Sequence, residues 1–548
     1  MIIQSEKLIF GFIFSLIFFF LPGFLTVQAV SASDKNHCID CHANRQNGFV
    51  DAHRFAENPC VSCHLGNAGS ALYEQAHQGL IAFPGNLSNA DLSCAQCHPR
   101  QLASVRENKM HRGSGMVDTT RRVFDESTPH GSKADLQSLT HSPADSLLRK
   151  LCASCHLGQE KQRHAIDDTR DRGGGCLACH LQGYQPEQHP ALSTTVGDGR
   201  CFGCHSRSGR ISLNYSGLAE VEANPAGQGA GLSRLLDGRL VQHMPADIHQ
   251  QAGMSCIDCH TAEDLMGATS LQDRGERSID IDCQDCHANR QPTIRLEDFP
   301  QRYAFFKSRL PFAPGPEQAF LQTAAKSTPL WNIEVRGQIL LLHRKLDGVV
   351  LEIPQWTAQS HRLQDQHQRL HCDSCHSQWA PQCSGCHIEY DESAYQWDHV
   401  DMKASAGRWS ETRWAIDNDL PALGVDQTNQ IRPFIPGMIL SIEHPDWQQA
   451  KFKRIFSRLS PHTSGASRSC DSCHLSSRAL GLGSGELKKT EDGWQFSAQH
   501  KILGDNLPQD AWTDLNGIYQ GIATRPGARP FSRTEILRIL NADTSPTD

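Results

Sequence analysis

The chain is short of the material from which a protein of its length usually builds an interior. Only 38% of its 548 residues are hydrophobic and only 7% are aromatic. That is little for a polypeptide long enough to form two or more domains. A core made of side chains alone would be thin, so something else is expected to fill part of it. Positive charge is not in excess. The formal net charge is −8, which argues against nucleic acid as a partner. Methionine is scarce, with eight residues including Met1. Beyond the N-terminus no stretch is apolar enough for long enough to cross a membrane.

The N-terminus reads as an export signal. Lys7 supplies a positive charge, and an apolar run extends from Leu8 to Leu25, interrupted by Pro22 and Gly23. Small residues suited to cleavage follow at Ala29 and Ala32, with Val27 and Val30 two positions before them. Residues 1–32 are therefore expected to be removed, which leaves a mature chain that does not span a membrane. No cysteine lies at the cleavage region, which argues against a lipoprotein.

What the chain has in abundance is cysteine and histidine, 22 and 29 residues. In an exported protein that many cysteines would ordinarily suggest disulfides. Their spacing excludes that reading, because all fall in eleven CxxCH segments. The pairs are Cys38 and Cys41, Cys60 and Cys63, Cys94 and Cys97, Cys152 and Cys155, Cys176 and Cys179, and Cys201 and Cys204. They continue with Cys256 and Cys259, Cys283 and Cys286, Cys372 and Cys375, Cys383 and Cys386, and Cys470 and Cys473. The histidines that follow are His42, His64, His98, His156, His180, His205, His260, His287, His376, His387 and His474. Two thiols three positions apart can add to the vinyl groups on one edge of a haem, and the adjacent imidazole then reaches the iron. Zinc ribbons pair CxxC motifs without a histidine after each, and thioredoxin-like motifs occur once on a βαβ scaffold. Eleven covalent c-type haems, with iron held by eleven proximal histidines, is the expectation.

On these motifs the chain resembles the multihaem c-type cytochromes of bacterial anaerobic respiration, over residues 38–474. Two longer stretches, CFGCHSRSGRISLNYSG from Cys201 and ADIHQQAGMSCIDCHTAED from Ala246, are similar to segments of large periplasmic or outer-membrane cytochromes of metal- and metalloid-respiring bacteria. The resemblance implies a mainly α fold with extensive irregular loops. It also implies a periplasmic location, with association to the outer membrane as the variant. The redox partners implied are other cytochromes, a quinol oxidase or an outer-membrane conduit.

The motifs divide the chain. Residues 33–287 carry eight of them, 288–371 form a haem-free insert, 372–474 carry three, and 475–548 form a haem-free tail. All nine tryptophans fall between Trp331 and Trp512, so haem rings are expected to fill the N-terminal half and aromatic side chains the rest. One minor β element is expected in the insert, a hairpin of EVRGQILLLHRKL and VVLEI around Asp347-Gly348. The run Gly173-Gly174-Gly175 before Cys176 reads either as room near a porphyrin or as a plain flexible loop.

Electron-transfer haems usually carry two axial ligands. Eighteen histidines remain after the proximal set, enough for a second imidazole at every iron, whereas eight methionines are too few. His53 and His249 each precede a motif cysteine by seven residues, and His37 and His371 directly precede one. These four are the distal candidates of first choice. His77, His111, His130, His141, His164, His189, His243, His361, His367, His399 and His462 are further candidates, while His343 and His500 rank lower. Each has the alternative of being an ordinary hydrogen-bonding histidine. The leading functional reading is an electron relay, and no catalytic residue is assigned. The rival is a reductase of a small oxyanion or nitrogen oxide at a haem without a distal ligand, with Tyr390, Tyr395, Arg408 and Arg413 as pocket residues. The CxxCK variant that often marks such a haem is absent.

Overall fold

A computed structural model describes residues 36–43, 53, 59–127, 134–162, 172–182, 189–206, 210–221, 231–266, 279–289, 291–357, 361 and 367–542. The expected export signal, His130 and His164 lie outside these residues. Among the described residues no helix is long and apolar enough to cross a membrane.

The expectation of a mainly α fold is wrong: helix and strand are nearly balanced, at 28% and 27%. The physical reason lies in the motifs. Each needs only about one turn of helix, so many motifs produce many helices but little helical length. The stretches without motifs must bury their own backbone, and they do so in sheets.

Three short strands, β1 (Leu218–Glu220), β2 (Leu232–Arg234) and β3 (Leu240–His243), form a small sheet in the order β1-β3-β2. The 288–371 insert is a five-stranded antiparallel meander of β4 (Thr293–Arg295), β5 (Ala319–Gln322), β6 (Pro329–Arg336), β7 (Ile339–His343) and β8 (Val350–Glu352). The expected hairpin is its last part: β7 and β8 pair through His343 and Val350, and Gly348 in the turn has φ 74°. The turn at Gly337, which the hairpin reading passed over, separates β6 from β7 with φ 64°. The meander buries Leu321, Leu330, Ile333, Leu340 and Leu342 against Met254, Ile281 and Cys286, and so backs onto the seventh and eighth motifs.

The largest sheet contains β9 (Ala380–Asp398), β10 (Lys403–Asp419), β11 (Ala422–Val425), β12 (Ile431–Glu443) and β13 (Lys451–Arg458). After the tail hairpin of β14 (Gly485–Thr490) and β15 (Gly493–Ala498), the sheet is completed by β16 (Ile522–Ala523). Its order is β10-β9-β12-β13-β16, with β11 on β12. The β9–β12 and β13–β16 pairs are parallel, the others antiparallel. Helices Ser114–Val123 and Pro143–Leu147 contribute Val123, Ala144 and Leu147 to its face, where Trp409, Leu440 and Ile442 are buried. On the far side Trp512 stacks on Phe456, ring centroids 4.7 Å apart.

Buried ion pairs fasten the motif-rich region to this sheet. Arg149, three residues before Cys152, donates to Asp398 at 2.8 Å with both side chains buried. Lys150 donates to the carbonyls of Ala406 and Gly407, at an irregularity within β10. Replacing Arg149 by Met strands Asp398 in the interior. Thermal or denaturant unfolding of Arg149→Met is expected to show a loss of about 3–5 kcal/mol, while an unchanged stability would mean the pair anchors nothing.

Candidate functional site

Residues i and i+3 share a face in a helix and point to opposite faces in a strand. Ten motifs sit in short helical turns, for example Pro59–His64, Cys176–His180, Asp198–His205, Cys283–His287 and Cys372–His376. Sequence fixes the local ends of these turns. Ser255 and Asp282 cap the seventh and eighth through reciprocal hydrogen bonds with Asp258 and Asp285. At Leu181, Ala288 and Ser377 the backbone turns extended directly after the histidine, which ends the helix there.

These ten motifs open onto one continuous cavity of about 6620 Å³, whereas ordinary ligand pockets measure about 300–1,000 Å³. Both cysteines of each of the ten border it. The glycine run is required by backbone contact. A Cβ on Gly175 would lie 2.5 Å from the Gly85 carbonyl oxygen, and one on Gly173 would lie 2.1 Å from that of Gln159. The run therefore seats the fifth motif against neighbouring backbone.

Eight motif histidines face a second imidazole. Ring centroids are separated by 6.2 Å for His42 and His77, 6.4 Å for His98 and His53, and 6.0 Å for His64 and His189. The separations are 6.0 Å for His287 and His249, 6.4 Å for His260 and His462, 6.4 Å for His376 and His361, and 6.1 Å for His474 and His367. Two imidazoles on one metal place their centroids roughly 6 Å apart, from a metal–nitrogen bond of about 2.0 Å on each side. Seven pairs match this spacing. The eighth, His156 with His111, is closer at 5.2 Å. His111 Nδ1, His156 Nε2 and His462 Nδ1 are buried without a hydrogen-bond partner, which suits nitrogen atoms that await a metal. No imidazole facing His180, His205 or His387 is found among the described residues.

The ring orientations are set from behind. Nδ1 of His64, His180, His287, His376 and His474 lies 2.7–2.9 Å from the carbonyl oxygens of Ile81, Ser193, Pro354, Gly465 and Ile539. An Nδ1–H that donates to a carbonyl fixes the tautomer and leaves Nε2 as the lone pair for iron. Two rings have a carboxylate instead: His260 on Asp264 at 2.6 Å and His249 on Asp247 at 2.8 Å. The motif residues thus fit covalently held haem at ten motifs, and facing histidines complete the ligand set at eight of them.

Of the first-choice distal candidates, His53 and His249 face motif histidines. His371 does not. Its two ring nitrogens lie 2.8 Å from Asp373 and 3.1 Å from Asp282, so neither is left for iron. Despite burial, the two carboxylates raise it to about 9, which makes it a cationic strut between the eighth and ninth motifs. His37 borders the cavity with Nδ1 on Asp40 at 2.8 Å. His343 is buried against Glu334 at 3.2 Å. Sequence reading missed Asp264 and Asp247. The four-residue spacing of His260 and Asp264 was in view, but the contact is made across a break between two helices, with His260 extended.

The tenth motif is different. Cys383, Cys386 and His387 lie inside β9, where Cys386 pairs with both Arg413 and Leu440, and none of the three borders the cavity. Cys386 is fully buried and its thiol donates to Glu411 at 3.4 Å. Nδ1 of His387 lies 2.9 Å from the Ser441 hydroxyl. In a strand the two thiols diverge, so this segment does not fit a haem as the other ten do. The Tyr390, Arg408 and Arg413 side chains proposed for a substrate pocket belong to this sheet, where Arg413 pairs with Glu220 at 2.8 Å.

No family model, curated protein or solved structure matches this chain.

A carboxylate behind an iron-bound imidazole makes it a stronger donor and favours the ferric state. With a haem held at the seventh motif, Asp264→Asn would raise one midpoint potential by on the order of 60 mV, a tenfold change in relative affinity for a one-electron couple. Redox titration reads this, and an unchanged set of potentials would remove Asp264 from the tuning role. His371 supplies a second expectation. Because its proton is held more tightly in the folded chain, its stabilisation is whole below pH 6.5 and disappears as pH rises through about 9. Unfolding of the parent protein should therefore lose on the order of 3 kcal/mol across that window, and His371→Gln should flatten that part of the curve.

Proposed function

We propose that the protein is an exported multihaem c-type cytochrome that relays electrons between respiratory partner proteins in the periplasm. Facing imidazoles at eight motifs carry this reading. When bound, each haem supplies a one-electron iron couple, and the chain's part is to attach it, hold both axial ligands and tune its potential. Six-coordinate iron has no open position for a substrate, so the paired histidines favour a carrier over a reductase at those motifs. The eleven motifs allow eleven haems. Ten fit the described conformation, and the tenth motif would have to leave its strand to take one.

The expected export signal and the resemblance to cytochromes of metal- and metalloid-respiring bacteria support a periplasmic location and protein partners. A periplasmic cytochrome, a quinol oxidase or an outer-membrane conduit would serve as donor or acceptor.

EPR spectra of the oxidised protein test the reading. Low-spin ferric signals from the paired sites are expected, unchanged by added nitrite, hydroxylamine, sulfite or cyanide. A substantial high-spin signal that shifts with one of these anions would replace the carrier with a reductase.

A further inference from the structure

The buried arginines of this chain are, as a rule, matched by carboxylates. Arg121 donates to Asp145 at 2.8 Å, Arg149 to Asp398 at 2.8 Å and Arg432 to Asp373 at 3.3 Å, and Arg454 holds both oxygens of Asp505. The rule has a physical cause: a guanidinium cannot shed its charge, and an unpaired one is costly to bury.

Two arginines on the cavity wall break the rule. Arg172 is 9% exposed and borders the cavity. Its Nε is buried without a hydrogen-bond partner, while Nη1 donates to Cys155 Sγ of the fourth motif at 3.9 Å. Arg200 directly precedes Cys201 in the helix Asp198–His205 and also borders the cavity. Its Nη1 is buried and unpartnered as well. Neither arginine is paired with a carboxylate among the described residues. A third cavity arginine, Arg468, is different, because it keeps the carbonyls of Pro421 at 3.2 Å and Ser472 at 2.8 Å as acceptors.

The backbone holds Arg172 in this position. Gly174 N donates to the Gln159 carbonyl at 2.6 Å, and Gly175 N to that of Leu157 at 2.9 Å. Gly173 tolerates no side chain, since a Cβ there would lie 2.1 Å from the same Gln159 oxygen. The glycine run therefore pins Arg172 against the segment that follows the fourth motif.

An arginine fork matches a carboxylate through two parallel hydrogen bonds. Each haem carries two carboxylates, on the edge opposite its thioether links. We propose, on the electron-carrier reading above, that Arg172 and Arg200 bind the carboxylates of haem. Arg172 donates to a sulfur that would bond the fourth haem, and that haem's own carboxylates lie across the ring. The carboxylate within reach of Arg172 therefore belongs to a different haem. Arg200 starts from the residue before Cys201 and stands in the same relation to the sixth. Each arginine thus ties the motif of one haem to the acidic edge of another. It also neutralises a negative charge that would favour ferric iron, and so raises the potential of the haem it binds.

A crystal structure of the haem-loaded full chain tests the contacts directly. Nitrogen atoms of Arg172 and Arg200 are expected about 2.7–2.9 Å from haem carboxylate oxygens, with the Arg172 partner on a haem other than the fourth. Arginines paired with protein carboxylates or a free anion would overturn the assignment, and an Arg172 partner on the fourth haem would overturn the bridge. A chain that carries no haem would sink the carrier reading itself, so the failures are distinct.

Redox titration separates charge from packing. Arg172→Gln keeps an amide donor and loses the charge, whereas Arg172→Lys keeps the charge. With haem content checked by mass spectrometry, Arg172→Gln is expected to lower one midpoint potential by about 59 mV, a tenfold change for one electron. Arg172→Lys is expected to recover most of that loss. Parent potentials in both variants, or equal losses in both, would leave Arg172 a packing role alone. Should Arg172→Gln fail to assemble, the contacts in the parent structure decide.

Discussion

Two cysteines three residues apart face the same way only while the backbone between them is helical, and the architecture is arranged around that requirement. Ten times the chain makes about one turn, and after the fifth, eighth and ninth motifs, among others, it leaves in an extended direction. So short a turn has almost no stability of its own. Capping side chains such as Ser255 and Asp282 hold some of them, and five are held by a hydrogen bond from the motif imidazole to a carbonyl that is often distant in sequence. His376 reaches Gly465 and His474 reaches Ile539 in this way. The bond that aims the ring therefore also closes a long loop.

The sheets serve as the frame for these turns. The meander of β4–β8 supports the seventh and eighth motifs, and the large sheet supports the fourth through Arg149, Lys150 and Asp398. Where a motif falls within the frame, as Cys383–His387 does in β9, strand geometry wins and the thiols separate. The same residues thus have one chemistry in a turn and another in a ladder, and neighbouring backbone decides which.

The chemistry of the motifs was legible because it depends on residue type at fixed spacing. The candidates that face a motif histidine, His53, His77, His111, His189, His249, His361, His367 and His462, all came from the histidine inventory, but their pairing depends on long-range folding and was not readable. His371 shows the limit of position as a guide. It directly precedes a cysteine, yet Asp282, 89 residues away in sequence, makes it an ion-pair partner. The sheets were missed for a related reason. Strands such as Lys451–Arg458 break the alternation that marks a strand, with Lys453-Arg454 and Ile455-Phe456 adjacent, and read as loop, and the long β9 runs through a segment whose CxxCH spacing argues for helix. Only the turn chemistry of Asp347-Gly348 was strong enough locally to announce a strand pair.

The large cavity has a consequence for the order of assembly. Its walls are one-turn helices, and the apolar clusters in the N-terminal half are small, such as Leu87, Ala90 and Leu102. Side chains alone give that half little reason to collapse. Contacts that close it span the chain, among them Trp379 Nε1 donating to the Pro245 carbonyl at 2.8 Å and Ile248 N donating to that of Ser464. On the carrier reading, attachment of the cofactors and burial of apolar surface become one event. On that reading the chain would stay open after export until its thiols have reacted, and the last walls would close over rings already in place.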